Sequence, residues 1–364
     1  MKKIILLSLI FFLFLPTLVF AQDTEQIFKA KVLEVLSEKT IDRGDGTGVI
    51  QQDLLLKGIE GEFKNKEFKI LGVSDFEVFK SITVKKGDKV YVTSSIDVDG
   101  NQHFYMTDHV RTGWLSILVV IFVFLLLIIG KKQGLKALFS LVITFFVIMK
   151  FIIPYLLKGV SPLLISILGS IVILTLIIYV TWGFKTKAHV AMVSILLSLL
   201  ITGIISIVFT KLTSLTGLAQ DDAVFLINAS TGAINFQGLL LAGIVLGTLG
   251  VLDDVVISQI SIIEQIRTLN PEISKKELYK KAMEVGVDHI SSMTNTLFLA
   301  YAGAALPVLL LFSLGGAQNL GFSGVINNEI MATEIVRTLC GSIGIILAVP
   351  IATFFAIKYL KPSK

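Results

Sequence analysis

Two adjacent carboxylates, Asp253 and Asp254, stand inside "GTLGVLDDVVISQ" (247–259), directly after the apolar run "FQGLLLAGIVL" (236–246). On insertion scales an acid near the centre of a bilayer costs about 2.5–3.5 kcal/mol unless it is paired, protonated or near water. The chemistry such a pair suits is binding a cation or cycling a proton. Gly243, Gly247, Gly250, Asp254, Ser258 and Ser261 recur at spacings of three and four and so share one helical face. Small residues mark close helix contact in membranes. Asp254 is therefore expected to face a neighbouring helix, with Gly243, Gly247 and Gly250 as the packing surface. Asp253 projects about 100° away, toward the side of Leu246 and Leu249. With an inner boundary near Ile260, Asp254 lies roughly 9 Å deep.

The following apolar run reads "VGVDHISSMTNTLFLAYAGAALP" (285–307), in which Asp288, Ser291, Ser292 and Asn295 share a face. Asn295 comes roughly 8 Å into the span, close to the depth of Asp254. The expectation is that Asp254 accepts hydrogen bonds from Ser292 and Asn295, with Asp288 and His289 at the cytoplasmic mouth. The plainer alternative is polar glue between helices, a common use of Ser and Asn in membranes. Neighbouring acids on one helix diverge, which argues against an aspartyl protease, where two carboxylates share a site. The histidines are His103, His109, His189 and His289, with no HExxH, so no zinc site is expected, nor any other metal or cofactor. No catalytic residue is assigned, and the chain is not expected to be an enzyme.

These residues need membrane helices to position them, and composition provides for that. Of 364 residues 54% are hydrophobic and 16% charged, with mean hydropathy +0.83, the profile of an integral membrane protein. Spans are expected near 113–130, 135–154, 161–183, 188–210, 236–260, 288–313 and 335–358, about seven in all. Alternate connections hold Lys131, Lys132, Lys136, Lys185, Lys187, Arg267, Lys275, Lys276, Lys280 and Lys281, and Lys358, Lys361 and Lys364 end the chain. By the positive-inside rule these face the cytoplasm. The net charge of +5 thus reads as topology, not as a nucleic-acid surface. Between the fifth and sixth spans, Asn270-Pro271 separates two helices. The first, with Ile260, Ile263, Ile266 and Leu269, is expected on or against the inner surface, and Ser274 and Glu277 form a capping box for the second. The single Cys340 excludes an internal disulfide.

The chain opens "MKKIILLSLIFFLFLPTLVFAQD", a charged, then apolar, then small-residue pattern that predicts a signal peptide over 1–21, cut after Ala21, the alternative being an uncleaved anchor retained as an eighth span. Residues 22–111 change to the composition of a soluble domain. "FKAKVLEVL", "GVIQQDLLLKGI", "FKNKEFKILGV", "DKVYVTSSIDV" and "QHFYMTDHV" read as strands, with Asp45-Gly46 and Asp99-Gly100 as hairpin turns. Five or six strands predict a small extracytoplasmic β-barrel or sandwich, OB-like. "DRGDGTG" lacks the Walker lysine and the terminal glutamate of a calcium loop, and reads as a turn.

"GTLGVLDDVVISQ" and "NPEISKKELYKKAMEVGVDHISSMTNTLFLAYAGAALPVLLLF" resemble the YibE/F-like family of bacterial membrane proteins, as does the order of signal segment, β domain with a "GDKV" strand, and multi-span region. The resemblance implies a polytopic protein of the bacterial cell membrane and no established reaction. "LDDVVISQISIIEQI" is similar, more loosely, to SecF-type proteins, where an acidic membrane helix runs into a cytoplasmic one. Asp254 would hold the charged position there, but Arg267 is out of register. The sequence expectation is an α-helical polytopic membrane protein over 112–364 with the β domain outside. Its partners are the lipid bilayer, a cation or proton, and envelope proteins reached through the β domain. Two functions remain open: a transporter or ion-coupled component, and a non-transporting accessory or scaffold subunit.

Overall fold

The computed structural model describes residues 26–42, 48–71, 83–96, 100–219, 223, 226, 234–313 and 321–360. The expected signal segment, the Asp45-Gly46 turn and Asp99 of the second turn lie outside these residues. The chain divides into two compact units between Ile128 and Ile129.

In the first unit, β1 (Gln26–Asp42), β2 (Gly48–Gly58), β3 (Glu67–Leu71), β4 (Lys89–Ile96) and β5 (Gln102–His109) form an antiparallel sheet of order β3-β2-β1-β4-β5. Alternation buries Phe28, Ala30 and Val32 on β1, Leu54 and Leu56 on β2, and Val90 and Val92 on β4, as a half-buried strand requires. Phe28 stacks on Phe63 at 4.6 Å and Phe68 on Phe104 at 4.4 Å, which closes the core. Gly87 turns into β4 with φ +99°, and Asp88 accepts from the backbone of Lys85 at 2.8 Å. The five strands fall where the sequence placed them, but the barrel is not seen. β3, only five residues long, and β5 end the strand order, and no ladder joins them among the described residues, although Phe68 of β3 stacks on Phe104 of β5.

The helices are α1 (Thr112–Val147), a π turn (Ile148–Ile152), α2 (Ile153–Leu157), α3 (Pro162–Trp182), α4 (Thr186–Leu212), α5 (Phe236–Leu269), α6 (Lys275–Ala304), α7 (Leu306–Leu311), α8 (Gly321–Asn327) and α9 (Glu329–Tyr359). Among the described residues, five stretches are long and apolar enough to cross a membrane: Thr112–Leu157, α3, α4, α5 and α9. Seven were expected, and two differences account for the change. The first two runs are two helices that meet at a kink at Lys131 (φ 47°, ψ −126°), within "GKKQG", and count together as the one stretch Thr112–Leu157. The sixth run falls on α6 and α7, which break at Ala305. The polar residues Asp288, His289, Ser291, Ser292 and Asn295 dilute its apolar character. A third expectation also changes: residues 260–269 are no separate surface helix but the last turns of α5, with Ile260 and Ile263 fully buried.

The helical core gathers Leu174 and Ile178 of α3, Ile195 of α4, Leu252 of α5, Leu278 of α6 and Ile345 of α9. Along α4, Ser194, Ser198, Thr202, Ser206 and Thr210 recur every fourth residue, all essentially inaccessible. The first four each donate to the carbonyl one turn back at 2.8 Å. This face meets α9, whose Gly344 packs on Thr202 and whose Cys340 reaches Ser206.

Candidate functional site

Asn235 caps α5, its Oδ1 accepting from Gly238 N at 2.9 Å, and Ser274 caps α6 as expected, its Oγ accepting from Glu277 N at 3.2 Å. α5 is 34 residues, about 51 Å long, and therefore outreaches a hydrocarbon core of roughly 30 Å. It buries the face that carries Ile244, Val245, Leu252, Val256 and Ile260. Branched side chains fill such a contact with more atoms than glycines do.

The small-residue face consequently points the other way from expectation. Gly243, Gly250 and Asp254 are exposed, and a Cβ at either glycine would meet nothing within 4 Å. Gly247 is the exception on that face: a Cβ there would lie 2.9 Å from the Tyr301 hydroxyl of α6. Ser292, Asn295 and Asp288 are also exposed and His289 is half-buried. No hydrogen bond joins Asp254 to Ser292 or Asn295 among the described residues. The hydrogen bond shown at this turn of α6 is local, with Thr296 Oγ1 donating to the Ser292 carbonyl at 2.9 Å.

Asp253 takes the more buried place. Its side chain is half-buried, and its Oδ1 is out of reach of solvent with no hydrogen-bond partner. A buried polar atom left unpaired costs free energy unless something satisfies it. Asp253, Ile257, Ile260 and Glu264 follow at spacings of four, three and four and so share an edge of α5. Along this edge Ile257 and Ile260 meet Trp182 of α3 and Lys187 and Ala191 of α4. Lys187 Nζ pairs with Glu264 Oε2 at 2.8 Å and stands 4.3 Å from the centre of the Trp182 ring.

Several groups that hold the arrangement carry no mark in the sequence. Gln259 is fully buried, and its Nε2 donates to the Ala282 carbonyl of α6 at 2.9 Å and to Thr353 Oγ1 of α9 at 2.8 Å. One amide thus ties three helices, with Gly286 leaving room for it. Arg267 donates to the Leu360 and Ile357 carbonyls that end α9, where cations are favoured. Glu334 and Arg337 pair at 3.1 Å within α9, with Arg337 5.9 Å from the Tyr301 ring. The four-residue period of the α4 hydroxyls is legible in the sequence. The single amide in "VVISQISII" has no period to mark it.

Among the described residues, no three His, Cys, Asp or Glu side chains gather as a metal would require. The arrangement is a carboxylate on a helix seam with one oxygen unsatisfied, and a second carboxylate beside it on an open face. No curated protein and no solved structure matches the chain. The sequence model described as YibE/F-like protein matches residues 118–362, from within α1 through α9. On that match, which covers well over half its length and both carboxylates, the chain belongs to the YibE/F-like family.

Proposed function

We propose that this protein is an ion-coupled membrane transporter, or the ion-coupled component of one, in which Asp253 takes up and releases a proton or a cation. The observation that carries this reading is the unpartnered, solvent-inaccessible Oδ1 of Asp253 in the middle of an apolar helix. A proton or a cation would satisfy that oxygen, and intramembrane acids commonly mark such paths. Asp254, one residue on, would serve as the exposed acceptor beside it. Ser292, Asn295, Asp288 and His289 would then line the outward side of α6 rather than the carboxylate itself.

The reading includes a topology. The break at Lys131 would separate two crossings, and α6 with α7 would add another, giving seven after removal of residues 1–21. The lysine-rich connections and the C-terminus would be cytoplasmic and the β sheet outside, available to envelope proteins. No enzymatic step is part of it.

A second reading, an accessory or scaffold subunit, is favoured by the open Gly243, Gly250 and Asp254 face, which suits a protein neighbour better than lipid. Gradient-driven flux in sealed vesicles, or complementation of a deletion phenotype, separates the two. Asp253→Asn is expected to abolish activity with insertion and detergent-extracted stability intact, because the amide keeps the shape and cannot ionise. Asp254→Asn is expected to be milder. A fully active Asp253→Asn protein would sink the coupling role and give the lead to the scaffold.

A further inference from the structure

The edge of α5 that carries Asp253 continues to the lysine-bearing end of the bundle, and that continuation is closed by charge. Below Asp253 come Ile257, Ile260 and then Glu264. Against them, Trp182, Lys187 and Ala191 line a narrow cleft with no space wide enough for a water molecule. Its walls are apolar, yet a polar atom stands unsatisfied at two places along the seam. Trp182 Nε1 is buried without a hydrogen-bond partner and so is Asp253 Oδ1. One is a donor and the other an acceptor. α3 and α5 run side by side from Pro162 against Gly238 to Trp182 against Ile257 and Ile260. On that register Trp182 lies level with Ile257 and Ile260, about a turn and a half of helix, or ~8 Å along the axis, from Asp253.

Over the mouth of this cleft lies Lys187. Its ammonium is held from two sides, by Glu264 at 2.8 Å and by the Trp182 ring at 4.3 Å, and only 13% of its side chain is exposed. The pair joins α4 to α5, and the ring belongs to α3, so one cation links three helices.

We propose that the α3–α4–α5 seam is the access path by which water and the coupling ion reach Asp253, and that the Lys187–Glu264 pair on Trp182 is its gate. This rests on the coupling role given to Asp253 above, but its test does not. In a Cys340→Ala background, Ile257→Cys places a thiol in the cleft, and Ile345→Cys, made separately, reports on the fully buried core of α9. The full chain in nanodiscs, open to reagent from both faces, is labelled with a hydrophilic maleimide. The cleft thiol is expected to react slowly with the gate intact. With Lys187→Met or Glu264→Gln its labelling should rise on the order of tenfold, as opening of the seam becomes easier, while the core thiol stays protected. Equal labelling of the cleft thiol with and without the ion pair overturns the gate, and so does a parallel rise at the core thiol, which would mean general loosening. An open seam together with a fully active Asp253→Asn protein would instead leave the gate standing and remove the coupling role.

Discussion

Gly344 offers the sharpest test of how the bundle is packed. A Cβ built there would lie 2.2 Å from Thr202 Oγ1 and 3.3 Å from both Cβ and Cγ2 of the same residue. Thr202 cannot swing aside at low cost. It is fully buried, its hydroxyl donates to the Ser198 carbonyl at 2.8 Å, and rotation about χ1 only exchanges one branch for the other. Gly344→Ala must therefore push α9 from α4. Overpacking of this kind costs about 1–3 kcal/mol, and the contact is severe enough to expect the upper end. Against it stands the helix preference of Ala over Gly, about 1 kcal/mol. The net expectation is a loss of about 2 kcal/mol. Thr202→Ala removes the obstruction, so the double variant should recover most of that loss, a coupling of about 2–3 kcal/mol in a double-mutant cycle. Thr202→Ser has a single branch and can turn its hydroxyl away at the loss of the Ser198 bond, so it should recover part of the loss. Reversible unfolding in mixed detergent micelles measures all of these variants. A Gly344→Ala protein as stable as the parent, or a double variant with Thr202→Ala no more stable than Gly344→Ala alone, would refute the contact.

Two further outcomes follow from other places in the fold. Gly250→Leu should stabilise by up to about 1 kcal/mol through helix preference, since its surroundings are open, whereas Gly247→Leu must displace the Tyr301 hydroxyl and should be the less stable of the two in the same unfolding assay. In the β sheet, the hydrogen bond and charge of Glu60, 3.1 Å from Lys29 Nζ, hold the ammonium above its ordinary value of 10.5. That contribution is fully present below the ordinary value and is lost as pH rises through the higher folded one, so melting across this alkaline range should lose a pH-dependent component in Lys29→Met.

The strands are legible because alternation of side chains encodes burial directly: Phe28, Ala30 and Val32 read inward on β1 as the pattern requires. Open or closed edges depend on β3 and β5, far apart in sequence, and no local pattern encodes that pairing. On α5 the sequence shows the period and not its direction. Glycines and an aspartate at spacings of three and four define a face, but the same spacing fits an outward face as well as an inward one. The competing stripe of Ile244, Leu252 and Val256 took the interior. Asp253 does not stand out as the buried acid for the same reason: its edge is defined by Trp182 and Lys187, contributed by other helices. Lone contacts such as Gln259 with Thr353 arise between residues 94 apart, where sequence spacing carries no signal.

The hydroxyl ladder of α4 has a mechanical consequence. Ser194, Ser198, Thr202 and Ser206 direct their protons to carbonyls of their own helix, so their polarity is spent before it reaches α9. Across that seam lie small side chains, the bare backbone of Gly344, and the soft contact of Cys340 with Ser206. Such a surface resists separation through close packing yet offers few directional bonds to break during sliding. α9 is instead pinned elsewhere, by Gln259 to Thr353 and by Arg267 to its last carbonyls, both on α5. Hydrogen bonds thus tie α9 to α5, whereas against α4 it is held by close packing.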